Sequence, residues 1–137
     1  MKQAHPTVLI VDDIAYVRKT MKQILTSHGF RVIGEAENGE EAFRLYCEIK
    51  PDFVTMDLVM PHMNGVEATQ KILKFDPDAT ILILSSMMEE NLVTEAIVAG
   101  AKDYILKPFQ TEEVLKVIHE NLSQAKHPRN NLGSVAS

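Results

Sequence analysis

Strand-like and helix-like patterning alternate five times along this chain, and that alternation restricts the fold more than any other feature. Short apolar runs at 7–11, 31–36, 52–56, 80–84 and 103–106 read as strands. The first and fourth, built on VLIV and ILIL, are almost continuously apolar, as parallel strands covered on both faces should be. Between the runs, apolar residues return at helical spacing. Val17, Met21, Ile24 and Leu25 share one face of a helix that Gly29 would end. Further helices are predicted over 40–49, stopping before Pro51, over 66–74, and over 90–99, ending at Gly100. A last one follows Thr111, the expected N-cap, with Glu112 and Glu113 in its first turn and an apolar face of Val114, Val117 and Ile118. Strict alternation of this kind implies an α/β domain, a doubly wound parallel sheet with right-handed crossovers.

Composition narrows the function classes. With 137 residues, 45% of them hydrophobic, the chain can bury the core of one domain without metal or disulfide staples. We expect that domain over residues 1–123 and a flexible tail over 124–137, where periodicity gives way to Asn, Gly, Ser and Pro. A net charge of −5 argues against direct nucleic-acid binding, which needs a basic face. No apolar stretch nears the roughly 20 residues of a membrane span, and residues 1–7 hold no signal-peptide core. The single cysteine, Cys47, excludes an intramolecular disulfide and reads as a packing residue. These features point to the cytoplasm.

Ligands of open α/β sheets bind outside the carboxyl ends of the strands. At those ends stand Asp12 and Asp13 after the first strand, Asp57 after the third, Ser85 and Ser86 after the fourth, and Lys107 and Pro108 after the fifth. Singly, each is an ordinary turn or loop residue. Together they place three acids, a hydroxyl pair and an ammonium on one edge. Two carboxylates about 4 Å apart repel by roughly 4 kcal/mol at an effective dielectric near 20, so the cluster calls for cations. Lys107 supplies one charge, and an oxygen-only ligand set suits Mg²⁺. Zinc is disfavoured, because the five histidines are scattered without ligand spacing. A carboxylate beside Mg²⁺ and an ammonium is suited to accept a phosphoryl group, with Ser85 as hydrogen-bond donor to its oxygens.

At these residues the sequence resembles the receiver domains of two-component response regulators, the CheY-like family. VLIVDD (8–13), MDLVMPHMNG (56–65), ILILSS (81–86) and AGAKDYILKPF (99–109) carry the resemblance, together with their spacing. It implies a five-stranded sheet of order 2-1-3-4-5 with five helices. By matching position, Asp57 resembles the phosphoacceptor and is itself a Mg²⁺ ligand, Asp13 resembles a direct Mg²⁺ ligand and Asp12 one acting largely through water, and the backbone carbonyl of Val59 a further ligand. Lys107 resembles the lysine that grips the phosphoryl group, Ser85 the switch hydroxyl and Tyr104 the switch aromatic. Lys107–Pro108 matches a peptide commonly cis in the family. Val59 and Met87 occupy positions that flank the attacking water's path in the family. Their apolar side chains cannot orient that water, which implies slow loss of the phosphoryl group.

The resemblance implies partners as well: a sensor histidine kinase as phosphoryl donor, and a downstream protein bound through the face made by the fourth helix, fifth strand and fifth helix. Leu92, Val93 and Ile97 could make that face apolar. The expected state is a monomer or a weak dimer promoted by phosphorylation, acting as a stand-alone, chemotaxis-like effector. A phosphorelay intermediate or an isolated receiver of a larger regulator is the alternative. Two readings of other classes fit the residues less well. A Mg²⁺-dependent phosphohydrolase would place a second acid two residues past its nucleophile, where this chain has Val59. A binding module indifferent to phosphorylation would have no need of the complete acid, hydroxyl and lysine set.

Overall fold

The computed structural model describes residues 5–126, with side chains through residue 122, and the five strand–helix units follow in the expected order. They are β1 (Thr7–Val11), α1 (Ala15–Ser27), β2 (Arg31–Ala36), α2 (Gly39–Ile49), β3 (Phe53–Asp57), α3 (Gly65–Phe75), β4 (Ile81–Ser85), α4 (Glu90–Ala99), β5 (Asp103–Leu106) and α5 (Thr111–Lys126). A single 3₁₀ turn, Met87–Glu89, leads into α4. All strand pairs are parallel, in the order β2-β1-β3-β4-β5. The chain thus has the fold that its resemblance implies.

Alternation along the strands sorts their side chains into two cores. Leu9, Val11, Val54, Met56, Ile81 and Ile83 face α2, α3 and α4, where Tyr46, Ile72 and Ala96 meet them. Val8, Ile10, Phe53, Leu82, Leu84 and Ile105 face α1 and α5, against Met21, Leu25, Val114, Val117 and Ile118. β1, β3 and β4 are inner strands with apolar side chains on both faces, which is why their sequences read as unbroken apolar runs. Gly29 ends α1 with φ of +88°, a conformation that glycine adopts without steric cost.

Several boundaries differ from expectation. β3 and β4 begin and end one residue later than patterning suggests. Asp52 is withdrawn from β3 because its amide donates to the Thr7 carbonyl at 3.0 Å while its carboxylate accepts from the Thr7 amide at 2.7 Å. Asp57 and Ser85 are therefore the last residues of their strands and are held by the sheet's register. Thr111 is the first helical residue of α5 rather than its cap. The Val114 amide already bonds to the Gln110 carbonyl at 3.0 Å, which moves the capping position back to Gln110. The backbone of α5 continues to Lys126, three residues into the stretch expected as a tail. Residues 127–137 lie outside the described residues. No described helix is long and apolar enough to cross a membrane.

Candidate functional site

At the carboxyl edge of the sheet, β1, β3 and β5 bring Asp12, Asp13, Asp57 and Lys107 together. A carboxylate oxygen from each acid lies within 4.8 Å of the others. Lys107 Nζ donates to Asp57 Oδ1 at 2.9 Å and to Asp12 Oδ2 at 3.2 Å, so one ammonium bridges the two buried acids. Asp12 is wholly buried and Asp57 is 4% exposed, whereas Asp13 is exposed to solvent. The expected edge cluster is thus present in space.

Local structure fixes each member. Asp12 Oδ1 accepts the Ile14 amide at 2.9 Å, a short turn that brings the chain into α1. Asp57 closes β3, opposite Leu84 of β4. Ser85 closes β4. Its hydroxyl is fully buried and finds no partner among the described residues, while its carbonyl accepts the Lys107 amide at 2.7 Å. Lys107 precedes Pro108 through a cis peptide. Ser86 turns its hydroxyl to the Met88 amide, and Glu89 returns a bond to the Ser86 amide, closing a capping box.

Electrostatics agree with the geometry. Burial pushes the Asp57 carboxyl up to about 6. The bond to Lys107 opposes that rise, and the neighbouring charge of Asp12 adds to it. Burial by itself would lower Lys107, but its bond to Asp57 and the charges of Asp57 and Asp12 prevail and raise it. One ammonium therefore leaves the three acids under-compensated. Their all-oxygen donor set and close approach fit a hard divalent cation such as Mg²⁺.

A sequence model of the response regulator receiver domain matches residues 8–119. The chain belongs to the response regulator receiver domain family. It is 51% identical to the chemotaxis protein CheY of Thermotoga maritima, with 82% of this chain and 94% of that protein aligned. The CheY of Bacillus subtilis is 47% identical, over 85% of this chain and 97% of its own length. Among solved structures, CheY in a CheX–CheY–BeF₃–Mg complex from Borrelia burgdorferi superposes with a TM-score of 0.80 at 38% identity, covering 84% of this chain and 87% of that one. The protein is therefore a CheY-like receiver of two-component phosphoacceptor signalling. Receivers of this type are not enzymes in the ordinary sense.

The remaining candidates of the receiver lie around the cluster. Val59 and Met87 are 53% and 73% exposed, in the loops after β3 and β4. Tyr104 is 45% exposed on the edge strand β5. With Ser85, Met87, Val93, Thr94, Ile97, Val98 and Leu106 it lines a groove of about 490 Å³ between α4 and β5. Of the three apolar residues expected on this face, Val93 and Ile97 line the groove. Leu92 does not line it: Leu92 packs against the core, as Val93 also does while reaching the groove. Val98, 81% exposed, takes its place. Sequence reasoning missed Arg18 altogether: its Nη1 donates to the Asp12 carbonyl at 2.8 Å. No local signal marks it, because its acidic partners stand at the end of β2. It also missed the capping boxes at Asn64–Glu67 and Ser86–Glu89, which the N-x-x-E and S-x-x-E spacings would have disclosed.

Proposed function

We propose that this receiver takes a phosphoryl group onto Asp57 from a sensor histidine kinase in the cytoplasm and then binds a protein partner through its α4–β5–α5 face. The observation that carries the reading is the setting of Asp57: a buried carboxylate at 2.9 Å from an ammonium and within 4.8 Å of two further acids. In the transfer, an Asp57 carboxylate oxygen attacks phosphorus while the bond to the donor imidazole nitrogen breaks. The new P–O bond replaces the P–N bond, and the imidazole leaves with its electron pair. Asp12, Asp13 and the Val59 carbonyl would hold Mg²⁺, which when bound offsets charge on the transferring oxygens. Lys107 contributes a second positive charge at the same oxygens, and Ser85 brings a hydroxyl, without a partner among the described residues, that is able to donate to them. Val59 and Met87 set the lifetime of the product by failing to orient water.

Incubation with acetyl phosphate and Mg²⁺, followed by intact mass, tests the assignment. The wild type should gain about 80 Da, one phosphoryl group on a side-chain oxygen, and Asp57→Asn should gain none. An adduct that persists in Asp57→Asn, or a wild type that never acquires one, refutes it. The CheY relatives support a stand-alone chemotaxis effector; its proposed state is a monomer or a weak dimer promoted by phosphorylation.

A further inference from the structure

Asp12 is held by all four of its polar atoms. Its amide donates to the Ala36 carbonyl at 3.1 Å, its Oδ1 accepts from Ile14, and its Oδ2 accepts from Lys107. Its carbonyl accepts from Arg18 Nη1 at 2.8 Å. That carbonyl belongs to the peptide joining Asp12 to Asp13, so the guanidinium fixes the plane on which both carboxylates are mounted. Arg18 is itself immobilised. Its side chain is only 14% exposed, Nε donates to Glu35 at 3.2 Å, and Nη2 lies 3.8 Å from Glu37. Lys22 meets Glu35 from the solvent side at 3.3 Å. Three guanidinium nitrogens thus tie the acidic loop to the end of β2. Lys107 is the only one of these holds shared with Asp57, so it is the one that a cation entering among the acids would contest.

We propose that Arg18 is a positioning residue for cation binding: it sets the Asp12–Asp13 peptide and so raises the affinity of the acid cluster for Mg²⁺. The inference rests on the Mg²⁺ site proposed above. Simple Coulomb attraction makes the opposite prediction, since deleting a positive charge beside three acids should tighten binding of a second cation. Groups that orient metal ligands typically contribute 10- to 100-fold in affinity, and here positioning outweighs the charge. Lysine cannot replace arginine, because it lacks the planar fork needed to reach the Asp12 carbonyl, Glu35 and Glu37 together.

The test is calorimetric titration of Mg²⁺ into the full chain at fixed ionic strength. Arg18→Ala and Arg18→Lys should each weaken binding about tenfold. The charge control Lys22→Ala, which touches Glu35 but not Asp12, should stay within about twofold of wild type. In phosphorylation by acetyl phosphate, the half-saturating Mg²⁺ concentration of both Arg18 variants should rise about tenfold while the rate at saturating Mg²⁺ changes less than about threefold. Should Arg18→Ala fail to fold, Arg18→Lys decides alone. Equal or tighter binding by the Arg18 variants overturns the inference and leaves the site reading intact. A wild type that takes up no Mg²⁺ overturns both.

Discussion

Asp57 behaves unlike an ordinary carboxylate, and its protonation carries a measurable sign. In the folded chain its pKa is raised to about 6 from the usual 3.8, chiefly by burial, so between those values the folded state holds more protons than the unfolded state. The stability this group contributes is present at low pH and is lost as pH rises through about 6. In chelator, acidifying from pH 7 towards 5 should therefore stabilise the protein through Asp57, by on the order of 1 kcal/mol, against the trend of ordinary paired carboxylates. Denaturant unfolding at several pH values checks this, and Asp57→Asn should flatten that part of the profile. At the same scale, Val59 and Met87 are exposed apolar side chains at the two positions proposed above to set the phosphoryl lifetime. The double variant Val59→Asn/Met87→Glu should lose its phosphoryl group about tenfold or more faster than wild type, in the range of a positioned general base or water-orienting group. Decay of the phosphorylated mass after removal of the donor gives the rate, and equal rates would refute the role.

At the scale of elements, the edge of the sheet is made functional by how its loops are pinned. The β3–α3 loop returns to its strand through the Gly65 amide, which donates to the Leu58 carbonyl at 2.8 Å. It is tied to α2 through the Gly39 amide, which donates to the Met63 carbonyl at 2.9 Å. A side chain at Gly65 would press on the Asp57 carbonyl oxygen and lie 2.8 Å from Leu58 Cα, both backbone atoms with little freedom to yield. Gly65→Ala should therefore destabilise the fold by about 2 kcal/mol or more and weaken Mg²⁺ uptake, since Val59 rides on the displaced loop. The effect of Asn64→Ala should be milder, about 1 kcal/mol, because it removes only the cap of α3. Thermal unfolding of the two variants beside Mg²⁺ titration separates loop distortion from helix fraying. These pins join residues close in sequence, and the N-x-x-E spacing at Asn64 is readable once helix starts are sought.

Over the whole molecule, Ser85 belongs both to the sheet edge that carries Asp57 and to the groove. Its buried hydroxyl has no partner among the described residues and lies on the strand next to Asp57's, and its residue lines the space beside Tyr104. We propose that drawing that hydroxyl toward a phosphoryl group opens room for Tyr104 to move within the shared groove. Complete reversal of a 1:99 balance needs about 5.5 kcal/mol, about twice what a single charge-assisted hydrogen bond at about 1.5–3 kcal/mol supplies. Beryllofluoride with Mg²⁺ should thus shift amide resonances of Thr94, Ile97 and Tyr104 part of the way, and a partner should complete the shift. Unchanged spectra would contradict the coupling, and Ser85→Ala should weaken it. The sequence by itself determined the layered α/β architecture, because apolar periodicity of two and of 3.6 residues is a local property. It also determined the identity of the clustered acids, because strand ends in a parallel sheet share one edge. Only the tertiary structure decided that Leu92 turns inward and Val98 outward. Both lie on an apolar helix whose core-facing side depends on its angle to the sheet. Only it revealed the Arg18 clamp, whose partners Glu35 and Glu37 come from a different strand–helix unit. Contacts between distant segments are settled by packing, which no spacing along the chain records.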